Sequence, residues 1–322
     1  MNNYLSPMSS IEISVVVPAF NEDGNIEEIH KHLIATLSEM GIIFELIFVD
    51  DGSKDRTWEL ISSFSDKDER VIGIGLSRNF GHQIALVAGI EHARGNYVVT
   101  MDADLQHPTN LIPTLYKEGL NGADIVNTIR SNSSGEKGMK RATSRLFYKI
   151  ANRVSEVKIQ SASADFRLMN RKAIDAFMQL KEKDRFTRGL VGWMGFKQVF
   201  ITFDAPKRFA GKSKYTYRRM FQFAGDGFFS FSSRPLRVSF YLGLLACVLG
   251  FGYAIYSIIQ HALGNTIPGW TSLMTVVIIL GGIQLLSLGI IGEYISRIFN
   301  EVKNRPLYYV QKYSSKSKEQ TD

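Results

Sequence analysis

Asp102 and Asp104 stand one residue apart in the run Met101-Asp102-Ala103-Asp104-Leu105-Gln106-His107-Pro108. Two carboxylates at that spacing offer hard oxygen ligands, suited to a Mg²⁺ or Mn²⁺ shared with a substrate's phosphates. The spacing alone is a weak signal, because it also occurs in solvated turns. Further acids at Glu22, Asp50 and Asp51 each follow a short apolar run. Acids crowded into one cleft repel unless a cation or hydrogen-bond donors offset the charge.

The elements that must position these acids come next. Ile13 to Val17, Phe44 to Val49, Val71 to Leu76 and Tyr97 to Thr100 are short, apolar and rich in β-branched or aromatic residues. Such runs read as buried parallel strands. Helical stretches separate them, ending near Ser38, spanning about Asp55 to Phe64, and spanning about His82 to Ala93. Asp23 or Asn25 is expected to cap the first helix, and Asp55 reads as a cap or turn residue. The alternation indicates an α/β fold with a doubly wound, mostly parallel sheet. Glu22, Asp50, Asp51, Asp102 and Asp104 then share the carboxyl edge, where open α/β sheets bind ligands. No G-x-G-x-x-G follows the first strand and no Walker sequence is present, which argues against dinucleotide and P-loop chemistry. His82 and His107 lack a second histidine at ligand spacing and read as capping or hydrogen-bonding residues.

Composition divides the 322-residue chain. Residues 1–235 are mixed, whereas Val238 to Gln260 and Trp270 to Gly292 carry no charged side chain. Each of these runs is long enough to cross roughly 30 Å of hydrocarbon. Arg234 and Arg237 precede the first; Arg297, Lys303 and Arg305 follow the second; the connector has neither Lys nor Arg. The positive-inside rule therefore puts the large N-terminal domain and the C-terminus in the cytoplasm, with a multi-pass anchor in the cell membrane. The expected organisation is a catalytic domain over 1–215, an interfacial amphipathic segment over 216–236, a two-helix membrane domain over 237–297 and a tail over 298–322. Cys247 is the only cysteine, so no disulfide forms within the chain. A net charge of +7 suits an anionic membrane surface or anionic substrate. No nucleic-acid motif accompanies it. Gly243, Gly250, Gly252, Gly281 and Gly282 permit close helix packing, and a homo-oligomer of unspecified subunit number is expected.

Five motifs now fall in one order: Pro18 to Glu22, Asp50-Asp51-Gly52-Ser53, Ser77 to Gly81, Met101 to Pro108, and Asp165-Phe166-Arg167-Leu168. Together with the two apolar runs and the ending Gly292 to Arg297, they resemble family 2 glycosyltransferases. The chain is most similar to polyprenyl-phosphate glycosyltransferases of the bactoprenol glucosyltransferase and dolichyl-phosphate mannose synthase kind. That resemblance implies a GT-A-like nucleotide-sugar domain, and transfer of a sugar, with inversion, to the phosphate of a polyprenyl lipid. UDP-glucose and undecaprenyl phosphate are the expected substrates. By the same resemblance, Pro18, Phe20 and Glu22 line the nucleotide turn, with Asp50 or Asp51 at the base or ribose. Phe20 stands where the family often has Tyr. Asp102, Asp104 and Gln106 match the metal and diphosphate site.

A lipid phosphate acceptor is already anionic and must be held by cations. Arg130 is matched to that task, with Arg141 or Arg145 next; Lys137, Lys140 and Arg141 read equally well as a solvated face. Asp165 matches an acid that acts as base or orients the acceptor, or else pairs with Arg167 or another arginine. Arg208 and Lys214, in a Gly- and Ser-bearing basic stretch, are placed over the donor diphosphate or at the membrane surface. The alternatives are a processive polysaccharide synthase, disfavoured by only two spans, and an inactive sugar-nucleotide sensor or scaffold.

Overall fold

The computed structural model describes residues 10–131, 163–183, 185, 187–204, 234–263 and 269–316. Four parallel strands form its centre: β1 (Ile13–Ala19), β2 (Phe44–Asp50), β3 (Val71–Leu76) and β4 (Tyr97–Thr100). Every residue in them except Tyr97 is buried, which is why they read as largely apolar runs; inside them Ser14 Oγ donates to Glu45 Oε1 at 2.6 Å. Helices α1 (Asp23–Glu39), α2 (Thr57–Lys67) and α3 (His82–His92) follow the first three; a short 3₁₀ turn, Thr109–Leu111, and α4 (Ile112–Leu120) follow β4.

The chain continues through β5 (Ile125–Arg130), β6 (Ser163–Asn170), α5 (Arg171–Gln179), α6 (Thr187–Trp193) and β7 (Gln198–Phe203). It then enters two long helices, α7 (Arg234–Ala262) and α8 (Trp270–Val302), and ends in β8 (Val310–Ser314). The strand order is β7-β5-β6-β4-β1-β2-β3-β8. The sheet is more mixed than expected. β6 lies antiparallel between β4 and β5, and β8 runs antiparallel along β3.

Strand alternation builds a core on each face. Val15, Val17, Leu46 and Phe48 join Ile26, Ile29, Leu33 and Leu37 of α1 and Leu115 of α4. Val16, Ile47 and Val49 join α3, Phe177 of α5 and Leu190 of α6 on the other face. Gly89 lets α3 sit close: a Cβ there would lie 2.2 Å from Val16 Cγ1.

Both expected spans are helical. Among the described residues, Ile279–Val302 of α8 is long and apolar enough to cross a membrane. On α7, Ser239–Tyr253 is an apolar stretch among the described residues. Among the described residues, nothing lies within 4 Å of a Cβ built at Gly243, Gly250, Gly252, Gly281 or Gly282. Glu293 and Arg297 pair one helical turn apart at 2.9 Å. The expected tail is partly folded. β8 covers the β3 edge, which would otherwise expose a row of unpaired backbone groups.

Candidate active site

The loops after β1 and β2 are knitted together before any side chain is free to meet a ligand. Asp51 N donates to Ala19 O at 2.9 Å, Asn21 N to Ser53 Oγ at 2.9 Å, Lys54 N to Asn21 Oδ1 at 2.9 Å, and Glu22 N to Thr57 Oγ1 at 2.9 Å. Asn21 turns the chain with φ of 53°, a left-handed conformation that Asn tolerates. Neither Asp23 nor Asn25 caps α1. Glu22 occupies the cap position, and Asn25 Nδ2 donates to its Oε2 at 2.7 Å. Asp55 is a turn residue as expected, accepting from Thr57 N and Oγ1 and from Asp23 N.

Asp50 and Asp51 are buried and serve backbone amides. Asp50 Oδ1 accepts from Ser53 N at 3.0 Å. Asp51 accepts from Phe80 N at 2.7 Å and Gly81 N at 2.9 Å, which pins the 77–81 loop at the start of α3. Burial pushes the Asp51 carboxyl up, and these two amides only partly oppose it. Gly52 permits the contact. Its φ is +71°, and a Cβ there would lie 2.6 Å from the Arg78 carbonyl carbon.

The turn after β4 is different. Gln106 N donates to Asp104 Oδ1 at 3.1 Å. Between them Leu105 has φ of 59°, a strained conformation for a branched apolar residue. Arg130, at the end of β5, donates from Nη2 to Gln106 Oε1 at 3.3 Å. Asp102 N donates to His107 Nδ1 at 3.0 Å, so the ring proton lies on Nε2, 3.8 Å from Asp102 Oδ2. His107 is fixed by stacking on Phe166. His82, the first residue of α3, holds Asp102 Oδ1 at 2.7 Å. Burial pulls the His82 pKa down, but the Asp102 charge and hydrogen bond raise it to about 9. Burial pushes Asp102 up, yet His107, His82 and Arg188 together hold it well below the usual carboxylate range.

Asp165 lies behind this turn on β6. Thr100 Oγ1 donates to its backbone oxygen at 2.7 Å. Its carboxylate accepts from Arg167 Nη2 at 3.0 Å, Arg188 Nε and Nη2 at 3.2 and 3.1 Å, and Gln83 Nε2 at 3.2 Å. Burial opposes ionisation, but Arg188 and Arg167 bring the Asp165 pKa down to about 2. A carboxylate so stabilised is a weak base near neutral pH. Its pairing with Arg167 is one of the alternatives open in the sequence; Arg188, at the start of a short helix, carries no motif that points to it.

The edge therefore brings Asp102, Asp104, Gln106 and Arg130 together, with Asp165 beside them. Pro18, Phe20, Glu22, Asp50 and Asp51 lie at the same edge, on β1, β2 and the loops that follow. Among the described residues, no three His, Cys, Asp or Glu side chains gather to hold a metal ion. The charge is offset instead by His82, Arg167 and Arg188. Arg141, Arg145, Arg208, Lys214 and the interfacial segment 216–236 lie outside the described residues, apart from Arg234 to Leu236 at the start of α7.

The glycosyl transferase family 2 profile matches residues 14–177, and the GtrB C-terminal hairpin profile matches 234–298. An uncharacterized glycosyltransferase of Synechocystis sp. is 44% identical over 94% of this chain and 95% of its own length. A bactoprenol glucosyl transferase of Shigella phage SfII is 38% identical over 94% of this chain and 98% of its own. Likeness that runs almost from end to end at such identity leaves one conclusion: the chain belongs to glycosyl transferase family 2.

Proposed function

We propose that this chain is an inverting transferase that moves glucose from UDP-glucose onto the phosphate of undecaprenyl phosphate at the cytoplasmic face of the cell membrane. The relatives named bactoprenol glucosyl transferase support both the sugar and the lipid. One structural observation carries the reading: Arg130 reaches Gln106 beside Asp102 and Asp104, setting a cation next to the acids at a single sheet edge. An anionic donor and an anionic acceptor can meet only where cations offset their mutual repulsion.

In this reading an acceptor phosphate oxygen attacks the anomeric carbon from one face as the bond to the UDP oxygen breaks on the other. Arg130 holds the acceptor phosphate, joined by Arg141 or Arg145. Arg208 and Lys214 cover the donor diphosphate, and Pro18, Phe20, Glu22 and Asp50 shape the nucleotide turn. Asp51 acts there indirectly, through the 77–81 loop. No base is required, because the acceptor is already ionised. Asp165, kept ionised by two arginines, orients the site rather than accepting a proton.

Asp102, Asp104 and Gln106 fit a hard divalent ion in part: they supply oxygen donors on one turn but too few to complete a shell, leaving places for diphosphate oxygens and water. Mg²⁺ or Mn²⁺ bound there would stabilise the charge that develops on the leaving diphosphate. The hairpin of α7 and α8 crosses the membrane twice in this reading and anchors the catalytic domain beside its lipid acceptor. Self-association of the hairpin would add a homo-oligomer.

The test is product mass. Purified protein, undecaprenyl phosphate, Mg²⁺ and UDP-glucose should yield a lipid heavier by one hexose, and chelation should abolish the gain. A polymer, or nucleotide-sugar binding without turnover, would overturn the proposal.

A further inference from the structure

The chain does not leave the catalytic domain for good when it enters the membrane helices. After seven intervening residues beyond Val302, the last residue of α8, it re-enters the sheet as β8. Extended chain spans at most about 3.6 Å per residue, so the end of α8 cannot lie more than roughly 25–30 Å from the start of β8. Contacts along the way tighten that limit. Lys183 N donates to Glu301 Oε1 at 2.8 Å, and Lys183 Nζ to Asn300 O at 2.7 Å, tying the last turn of α8 to the segment before α6. Leu307 and Tyr308 pack on the α3 face of the core. Tyr308 Oη donates to Glu91 Oε2 at 2.6 Å, near the end of α3.

What these contacts hold matters more than their number. Ser77 N donates to Tyr309 O at 2.9 Å, and Val310 pairs with Leu76. Ser314 Oγ lies 2.5 Å from Ser65 Oγ on α2. Residues 308–314 therefore grip β3 on one side of the 77–82 loop and α3 on the other. That loop gives its Phe80 and Gly81 amides to Asp51, and His82 next to it holds Asp102.

We propose that residues 300–314 form a strap that locks the 77–82 loop, and through it His82 and Asp102, to membrane helix α8. The strap sets the catalytic edge at a fixed distance from the bilayer, where the phosphate of a long-chain lipid acceptor is presented. It is a positioning device: none of its residues touches a reacting atom. The inference rests on the function proposed above for its catalytic consequence, but not for its structural one.

Two arms test it on the full chain in lipid nanodiscs. The first needs no chemistry. In the Glu301→Ala/Tyr308→Phe double variant, hydrogen exchange at Ser77, Phe80 and Gly81 should rise about tenfold or more while β1 and β2 stay protected. Unchanged protection in the loop would overturn the strap; loosening of the whole sheet would reduce it to an ordinary fold element and overturn it as well. The second arm inserts a flexible Gly-Ser stretch after Asn304, leaving β8 intact. Transfer to undecaprenyl phosphate in the bilayer should fall about tenfold or more, with transfer to a short water-soluble prenyl phosphate kept within about twofold. Equal loss on both acceptors, or no loss on either, would overturn the fixed distance. If the parent chain glycosylates neither acceptor, the functional proposal falls, and the exchange arm still decides on the strap.

Discussion

Acids at the ends of β1 and β2 and acids at the ends of β4 and β6 occupy one edge of one sheet, yet they do opposite work. Asp50 and Asp51 are spent on backbone amides and give the loops their shape. Asp102 and Asp165 are matched to cationic side chains and give the edge its charge pattern. A carboxylate that binds amides fixes where the chain goes; one that binds movable cations sets a local field a substrate can enter. Position on the edge does not distinguish the two kinds. The partner does.

The comparison breaks most readily at Asp165. Replacing it with Asn leaves Arg167, only 1% exposed, without a counter-charge. Breaking such a buried pair costs about 3–5 kcal/mol, and denaturant unfolding should show it. A change of less than 1 kcal/mol would mean that the arginines find other partners. Asp104→Asn should act on rate instead. Transfer should drop by about 10²–10³-fold, with the unfolding midpoint close to that of the parent. Full activity would remove Asp104 from the site.

Asp51→Asn tests the other kind of acid. It can accept from only one of the two amides, and the lost partner should cost about 1–3 kcal/mol and loosen residues 77–81. The smallest effect separates the two kinds by pH. Asp165 has its folded pKa lowered to about 2. Its stabilising contribution is complete above its unfolded pKa of about 3.9 and disappears as pH falls through 2. Asp51 is shifted upward, so it binds a proton more readily folded than unfolded, and its contribution grows more favourable as pH falls. Carboxyl titration followed by NMR should find Asp165 protonating at lower pH than Asp51; the reverse order would erase the distinction.

The central strands and the D-x-D turn were legible because their physics is local. Four buried parallel strands must be largely apolar, and a turn that positions two acids keeps them close in sequence. β6 was hidden because Asp165 and Arg167 neutralise each other inside it, and no hydropathy pattern registers a pair of cancelling charges. β8 was hidden for a different reason: Gln311 and Lys312 make it as polar as any tail, as an edge strand should be. Arg188 acts from 23 residues away on Asp165, a distance that local spacing cannot reveal. His82 showed itself as a hydrogen-bonding residue, but its partner across the edge, Asp102, emerged only from the fold.

The pairing of β3 with β8 also has a consequence in time. Leu76 leaves the ribosome well over two hundred residues before Val310, its partner. At roughly 5–20 residues per second, the β3 edge waits about 12–50 s for the strand that covers it. The intervening chain contains both long helices, α7 and α8, so both are made before the sheet is completed. A sheet assembled in this order is sealed only after both helices have been made, and a chain stalled before β8 would carry an open strand edge prone to pairing with its neighbours.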